Sequence, residues 1–259
     1  MEDMFNLHGK VAIVTGGNVG IGKGIADGLA SKGSDIVVAA RNEVKTAEAV
    51  RDIEEKFGVR VWGAKVDVRQ EESIRAMVKQ VLDEFGQINI LVNNAGINIR
   101  KLPQEYVTAE WDEVLEVNLR GAFLCSQAVY PAMKEAGSGK IISIGSTTSL
   151  FGSPKLAPYA CSKAGILQLT YSLALAWAAD NIQVNAILPG WTETPLGVKA
   201  RRDLPGSNEH VLHRVPAGRW GKPEDIAGAA IFLASRASDF VTAGYIRVDG
   251  GYAQGLQIM

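Results

Sequence analysis

Residues 10–22, KVAIVTGGNVGIG, constrain the fold more than any other part of the chain. The first six are apolar and β-branched without alternation, the pattern of a strand covered on both faces. Gly16, Gly17, Gly20 and Gly22 follow at once, and residues 23–32 read as a helix. A strand, a glycine turn and a helix make a βα unit whose helix N-terminus presents free amides and the positive end of a dipole to a phosphate. Gly16 permits the turn, while Gly20 and Gly22 let backbone and a pyrophosphate approach closely. The spacing is Thr-Gly-x-x-x-Gly-x-Gly rather than the commoner Gly-x-Gly-x-x-Gly. Glycine clusters are often merely turns, but one set between a buried strand and a helix favours dinucleotide binding.

The same alternation runs on through the chain. Residues 35–40 (DIVVAA) form the next strand and end at Arg41. In dinucleotide folds an acidic residue here accepts from the ribose hydroxyls, whereas an arginine accommodates a 2′-phosphate. Ala40 is neutral and Arg41 basic, so NADP is preferred over NAD, a solvated surface arginine being the alternative. Residues 43–57 are helical, 60–66 form a strand, and 71–85 form an amphipathic helix with Ile74, Met77, Val78, Val81 and Leu82 on one face. Asp67 and Val68 close the third strand, where Asp67 could meet an adenine amino group or cap the next helix. Strand 88–92 runs into Asn93-Asn94-Ala95-Gly96, small and amide-bearing residues suited to a ligand crevice at a strand's C-terminal end.

Residues 111–133 read as one long or broken helix carrying Asn118 among apolar neighbours, an amide that must brace backbone or hold a water. Strand 140–144 delivers Gly145-Ser146-Thr147-Thr148-Ser149, helix 157–179 follows, and 182–188 is a sixth strand. Pro189-Gly190-Trp191-Thr192-Glu193-Thr194-Pro195 then breaks the chain, and a polar, proline-dotted segment up to Gly221 has the length of a lid. A helix over 223–235 and a strand over 245–248 complete the pattern.

Composition bounds the function classes. The 259 residues are 47% hydrophobic and 21% charged, fitting one large α/β domain with a full core. A formal net charge of -1 leaves no broad positive field, so neither nucleic acid nor an anionic membrane is an expected partner. No apolar run approaches the ~20 residues needed to span a bilayer, and the first ten lack an apolar signal core, so a cytoplasmic location is expected. Cys125 and Cys161 make no disulfide framework, and both are expected to be buried as free thiols. No metal site is expected: His210 and His213 stand three apart without an evident third ligand.

Tyr159 and Lys163 are four apart in a helical stretch, which puts them on one face. A free tyrosine has a pKa near ~10, and a nearby ammonium favours the phenolate; lowering that pKa by ~3 units takes roughly 4 kcal/mol of differential interaction. Tyr-x-x-x-Lys alone also occurs on ordinary helical surfaces. Ser146 lies thirteen residues upstream, and Asn118 twenty-eight residues before that.

Taken in order, TGGNVGIG (15–22), NNAG (93–96), Asn118, Ser146, Tyr159-x-x-x-Lys163, PGWTET (189–194) and VDGG (248–251) resemble the motifs of the short-chain dehydrogenase/reductase family across nearly the whole chain. The resemblance implies a Rossmann-type, doubly wound parallel sheet of seven strands with helices on both faces, and a homotetramer. It implies that Tyr159 is the general acid/base, that Ser146 hydrogen-bonds the reacting oxygen, that Lys163 lowers the Tyr159 pKa and holds the nicotinamide ribose, and that Asn118 holds a relay water. Gly16, Asn18, Gly20, Ile21, Gly22, Arg41, Asp67, Val68, Asn94, Ala95, Gly96, Pro189, Gly190, Thr192 and Thr194 match its cofactor-contacting positions.

The activity so implied is NAD(P)-dependent interconversion of a secondary alcohol and a ketone. Expected pocket stretches are 97–102, 148–155 and 191–219, which mix Leu150, Phe151, Trp191 and Leu196 with Arg100, Lys101, Lys155, Arg201 and Arg202. Those cations, and a resemblance of residues 215–235 to sugar-acid dehydrogenases, favour a polyol, sugar or sugar acid of the gluconate type. A 3-oxoacyl-thioester reductase is the alternative within the family; a dinucleotide-binding regulatory protein without turnover is the alternative outside it, disfavoured by the intact Tyr159 and Lys163.

Overall fold

Seven strands pair in parallel in the order β3-β2-β1-β4-β5-β6-β7. They are β1 (Val11–Thr15), β2 (Asp35–Ala40), β3 (Val61–Lys65), β4 (Ile90–Asn93), β5 (Gly139–Ile144), β6 (Ile182–Pro189) and β7 (Tyr245–Val248). The computed structural model describes residues 3–194, 197–198 and 206–253. Between the strands run α1 (Gly20–Ala30), α2 (Glu43–Phe57), α3 (Glu71–Phe85), α4 (Thr108–Leu115), α5 (Gly121–Glu135), α6 (Ala157–Trp177), α7 (Ser207–Arg214) and α8 (Pro223–Ala234). This is the doubly wound Rossmann arrangement that the family resemblance implies.

β1 lies inside the sheet between β2 and β4, its five residues all buried, with Ala12 in register with Ile36 on one side and Ile90 on the other. Alternate side chains go to opposite faces of a strand, which splits the core in two. Val11 and Ile13 join Ile74 and Val81 of α3, Val129 and Met133 of α5 and Ala174 of α6. Ala12 and Val14 join Ile25 and Leu29 of α1, Ile53 of α2 and Ile226 and Leu233 of α8. The order of strands reverses between β1 and β4, so the helices that follow them cover opposite faces and the chain parts above their C-terminal ends. A crevice opens there.

The helices depart from the expected spans in four places. α1 begins at Gly20, inside the glycine turn, so the turn's last glycines are its first residues. The stretch 111–133 is broken: α4 and α5 are joined by a π-helical turn, Glu116–Arg120, which carries Asn118. α6 gives way to a 3-10 turn, Ala178–Asp180. The expected lid contains α7 and is tied at its base by a bridge between Thr192 and Gly221. Leu196, Arg201 and Arg202 lie outside the described residues.

Cys125 is buried as expected, and burial pushes its thiol up to about 12. Cys161 is exposed, because α6 turns Ser162 and Lys163 inward and leaves the residue before them on the solvent side. No helix among the described residues is long and apolar enough to cross a membrane.

Candidate active site

The floor of the crevice is held by one threonine. Thr15, at the end of β1, accepts from the backbone N–H groups of Asn94 (2.9 Å) and Ala95 (3.1 Å) and donates to the Val92 carbonyl (3.1 Å). Asn94 returns two hydrogen bonds through Nδ2, to the carbonyls of Thr15 (2.9 Å) and Gly16 (3.2 Å). The β1 turn and the Asn-Asn-Ala-Gly turn are thus locked across the switch point. A Cβ at Gly16 would stand 2.9 Å from Asn94 Nδ2, on a backbone with φ +64. A Cβ at Gly22 would stand 2.3 Å from the Gly16 carbonyl oxygen. Gly22 therefore serves to seat α1 under the turn and does not meet the cleft, which corrects the expectation that it opens room for a pyrophosphate.

Above this floor lies a cleft of about 1120 Å³. Every residue assigned above to catalysis or cofactor contact lines it, except Gly22 and Asn118. The N-terminus of α1 faces it uncapped: Val19 makes no side-chain cap, and the first turn has no acidic residue. Free N–H groups at such a helix end are donors for an anion.

At the end of β2, Arg41 is joined along the cleft by Lys45, which sequence spacing alone did not single out. Asn42 caps α2 by accepting from the Lys45 N–H (3.0 Å), which fixes the first turn of the helix that carries Lys45. Asp67 lines the cleft but caps no helix; it accepts from the Arg69 backbone and guanidinium, and that cation holds its carboxyl below the usual range. Gln70 occupies the N-cap of α3, so the capping alternative for Asp67 falls.

The opposite end of the cleft carries the reactive groups. Ser146 caps a 3-10 turn, Thr147–Ser149, by accepting from the Thr148 N–H (3.1 Å). Ser149 donates to the Lys163 carbonyl (2.7 Å), pinning this turn to α6. Tyr159 is half-buried at the cleft wall. Lys163 is buried, its Nζ donating to the Ile144 carbonyl (2.7 Å) and lying 5.7 Å from the centre of the Tyr159 ring.

The electrostatics differ from the simple expectation. Loss of hydration pushes the Tyr159 phenol up, against contrary pulls from the Ser146 hydroxyl and the Arg100 charge. Burial drives the Lys163 amine down to about 8. In the protein by itself, Ser146 and Arg100 favour the phenolate, while Lys163 is turned to a backbone carbonyl.

Asn118 stands behind this wall. Its Oδ1 accepts from the Ile97 N–H (2.8 Å), and its Nδ2 donates to the Ile97 carbonyl (3.0 Å) and to Ser162 (3.1 Å). Ser162 in turn donates to the Tyr159 carbonyl (2.7 Å). The amide braces backbone and does not itself line the cleft.

The far wall is aromatic. Trp191 packs edge-on against Trp220 (5.5 Å) and Tyr252 (6.3 Å), Phe151 lies 5.8 Å from Tyr252, and the Arg214 guanidinium sits 5.5 Å over the Tyr252 ring. Arg100 and Arg214 both line the cleft, whereas Lys101 pairs with Glu110, and neither Lys101 nor Lys155 lines it. Arg214 falls within the expected stretch 191–219 without having been singled out, and Tyr252 had no signal in the sequence. Among the described residues, no three His, Cys, Asp or Glu side chains gather to hold a metal ion.

A doubly wound sheet whose crevice sets a tyrosine, a serine and a buried lysine on one wall is the frame of a dehydrogenase or reductase. Residues 16–253 match the family model described as enoyl-(acyl carrier protein) reductase. The chain is 42% identical over 249 residues to the 2-dehydro-3-deoxy-D-gluconate 5-dehydrogenase of Escherichia coli, covering 96% of this chain and 97% of that one. It is 36% identical to the gluconate 5-dehydrogenase of Gluconobacter oxydans, covering 96% of each. A crystal structure of a gluconate 5-dehydrogenase from Burkholderia cenocepacia, in complex with NADP and tartrate, superimposes with a TM-score of 0.93 at 40% identity, over 98% of this chain and 99% of that one. The chain belongs to the short-chain dehydrogenase/reductase family and is an enzyme acting on hydroxyl and keto groups.

Proposed function

We propose that this protein is an NADP-dependent oxidoreductase that interconverts a secondary hydroxyl and a ketone on a sugar acid of the gluconate type. The observation that carries the reading is the placement of Tyr159 and buried Lys163 in a cleft with cations at both ends, Arg41 with Lys45 at one and Arg100 with Arg214 at the other. The relatives' activities on gluconate and 2-dehydro-3-deoxy-D-gluconate support the substrate class, and the NADP of the Burkholderia cenocepacia structure supports the cofactor.

The residues fit a dinucleotide. Gly16 lines the cleft without a side chain, the α1 amides suit a diphosphate, and Arg41 and Lys45 suit a 2′-phosphate. Asn18, Gly20, Ile21, Asp67, Val68, Asn94, Ala95, Gly96, Pro189, Gly190, Thr192 and Thr194 complete this binding surface. A bound nicotinamide supplies the hydride chemistry; the chain supplies placement and proton handling. Tyr159 gives its proton to the nascent alkoxide or takes it from the alcohol, and Ser146 donates to the same oxygen. Lys163 holds the nicotinamide ribose and places positive charge beneath the tyrosine. Asn118 and Ser162 hold the backbone on which Ile97 and Tyr159 stand.

The protein is further proposed to work as a homotetramer in the cytosol. Apolar Phe123 and Leu175 stand exposed on α5 and α6, and Phe123 lines a shallow groove with Leu115 and Leu119, which supports burial against another copy. Turnover should be measured with D-gluconate, 2-dehydro-3-deoxy-D-gluconate, neutral polyols and 3-oxoacyl thioesters, each with NADP and NAD. Activity is expected on the sugar acids with NADP. Activity confined to the thioesters would overturn the reading.

A further inference from the structure

Among the described residues, three buried side-chain oxygens have no hydrogen-bond partner: Asn93 Oδ1, Asn98 Oδ1 and Thr148 Oγ1. Asn93 lies below the cleft, where its Nδ2 is tied to Ser126. Asn98 and Thr148 both line the cleft, on the wall that also carries Ser146 and Arg100. Buried polar atoms are nearly always paired, so two orphans on residues that line one cavity call for a partner that arrives from it.

Neither orphan sits on slack chain. Asn98 follows Ile97, whose N–H and carbonyl are both gripped by Asn118. Thr148 sits in the turn that Ser146 caps and Ser149 fastens to α6. Rigid backbone with unpaired side-chain oxygens is the arrangement of a site organised in advance of its ligand. Bulk water does not satisfy these atoms, since neither is accessible to it. Meeting a ligand in the cleft requires each side chain to rotate its oxygen outward.

We infer that Asn98 and Thr148 form a hydroxyl-reading subsite that engages the substrate next to the carbon undergoing reaction. The inference rests on the proposed sugar-acid activity and deepens it. Asn98 Oδ1 is an acceptor only, so it takes the hydrogen of a hydroxyl; Thr148 Oγ1 can both donate and accept. The Thr148 N–H is bonded to Ser146 Oγ, which sets the subsite beside the group that meets the reacting oxygen. A vicinal polyol satisfies both oxygens. The acyl chain of a thioester satisfies neither, and leaving a buried polar group unpaired is the strongest means by which a site rejects an analogue.

The test uses Thr148→Val and Asn98→Leu, each close in shape to the original, with D-gluconate and its monodeoxy analogues as probes. In the wild-type enzyme, at least one monodeoxy analogue is expected to lose about tenfold or more in kcat/KM against gluconate. Each variant is expected to lose a similar factor toward gluconate and to erase the penalty for one analogue. In the unliganded protein, the same variants remove an unsatisfied buried oxygen, so Tm is expected to rise by about 2–4 °C. A residue that merely supports the fold moves Tm the other way. The subsite stands only if the analogue penalty vanishes and Tm does not fall; any other combination overturns it. Absence of wild-type turnover on every sugar acid marks failure of the proposed function itself, whereas turnover with unchanged analogue penalties marks failure of this inference alone.

Discussion

Tyr159 and Lys163 pay for their burial in opposite directions, and pH separates them. The Tyr159 phenol is pushed up, so alcohol oxidation, which needs the phenolate, should accelerate as pH rises through the alkaline range, while ketone reduction, which needs the phenol, should fall there. Rate profiles in both directions check this. Tyr159→Phe should remove about 10²–10⁴-fold of turnover with cofactor affinity retained, measured by fluorescence titration. Lys163 shows the linkage in stability. Its folded value is about 8 against 10.5 for the ordinary side chain, so between those values the unfolded chain binds the extra proton. Stability of the unliganded enzyme should therefore rise with pH from about 8 to 10.5, by about 3 kcal/mol from this group. Urea unfolding at several pH values should show the rise in wild type and its loss in Lys163→Met. At this scale, spacing along the chain revealed Tyr159, Lys163 and Ser146 because helical and turn geometry are local. Thr15 and Lys45 were not singled out as site residues, because what they face is set by the fold, whereas Ser149 and Arg214 fell inside expected pocket stretches without being named.

The βα units were legible because a strand buried on both faces reads as an unbroken apolar run. Their edges were not: α1 starts three residues before the expected helix, since Gly20 takes the left-handed backbone that leads into it and Gly22 has no Cβ to strike the Gly16 carbonyl. Gly22→Ala should cost about 1–3 kcal/mol by overpacking, visible as a lower Tm. The β2–α2 junction should govern the choice of nucleotide. Removing the charge of Arg41, or of Lys45, is expected to raise the KM for NADP by about 10–100-fold with little change for NAD, the worth of one or two charge-assisted hydrogen bonds. Equal changes for the two cofactors would show that neither cation meets the phosphate. The π-helical turn had no sequence signal, as nothing in EVNLR distinguishes it from α-helix. Its extra residue per turn is what allows Asn118 to face Ile97 while α4 and α5 both keep apolar residues inward.

For the molecule as a whole, the parallel seven-stranded sheet followed from the resemblance carried by the ordered motifs, and the crevice followed from the order of its strands. The groove between α4 and α6 and the exposed Phe123 did not, since the apolar residues of an outer helix face look like core in a sequence. Phe123→Glu should lower the mass measured by light scattering without unfolding the chain; an unchanged mass would place the assembly surface elsewhere. A last consequence concerns synthesis. α1 closes against α8, where a Cβ at Gly28 would stand 2.6 Å from the Ala227 side chain. These helices come from opposite ends of the chain, so at ~5–20 residues per second the ribosome leaves the flank of α1 bare for roughly 10–40 s after it emerges. Translation arrested before α8 should leave a nascent chain that holds the nucleotide turn yet aggregates, and whose folding waits on its last forty residues or so.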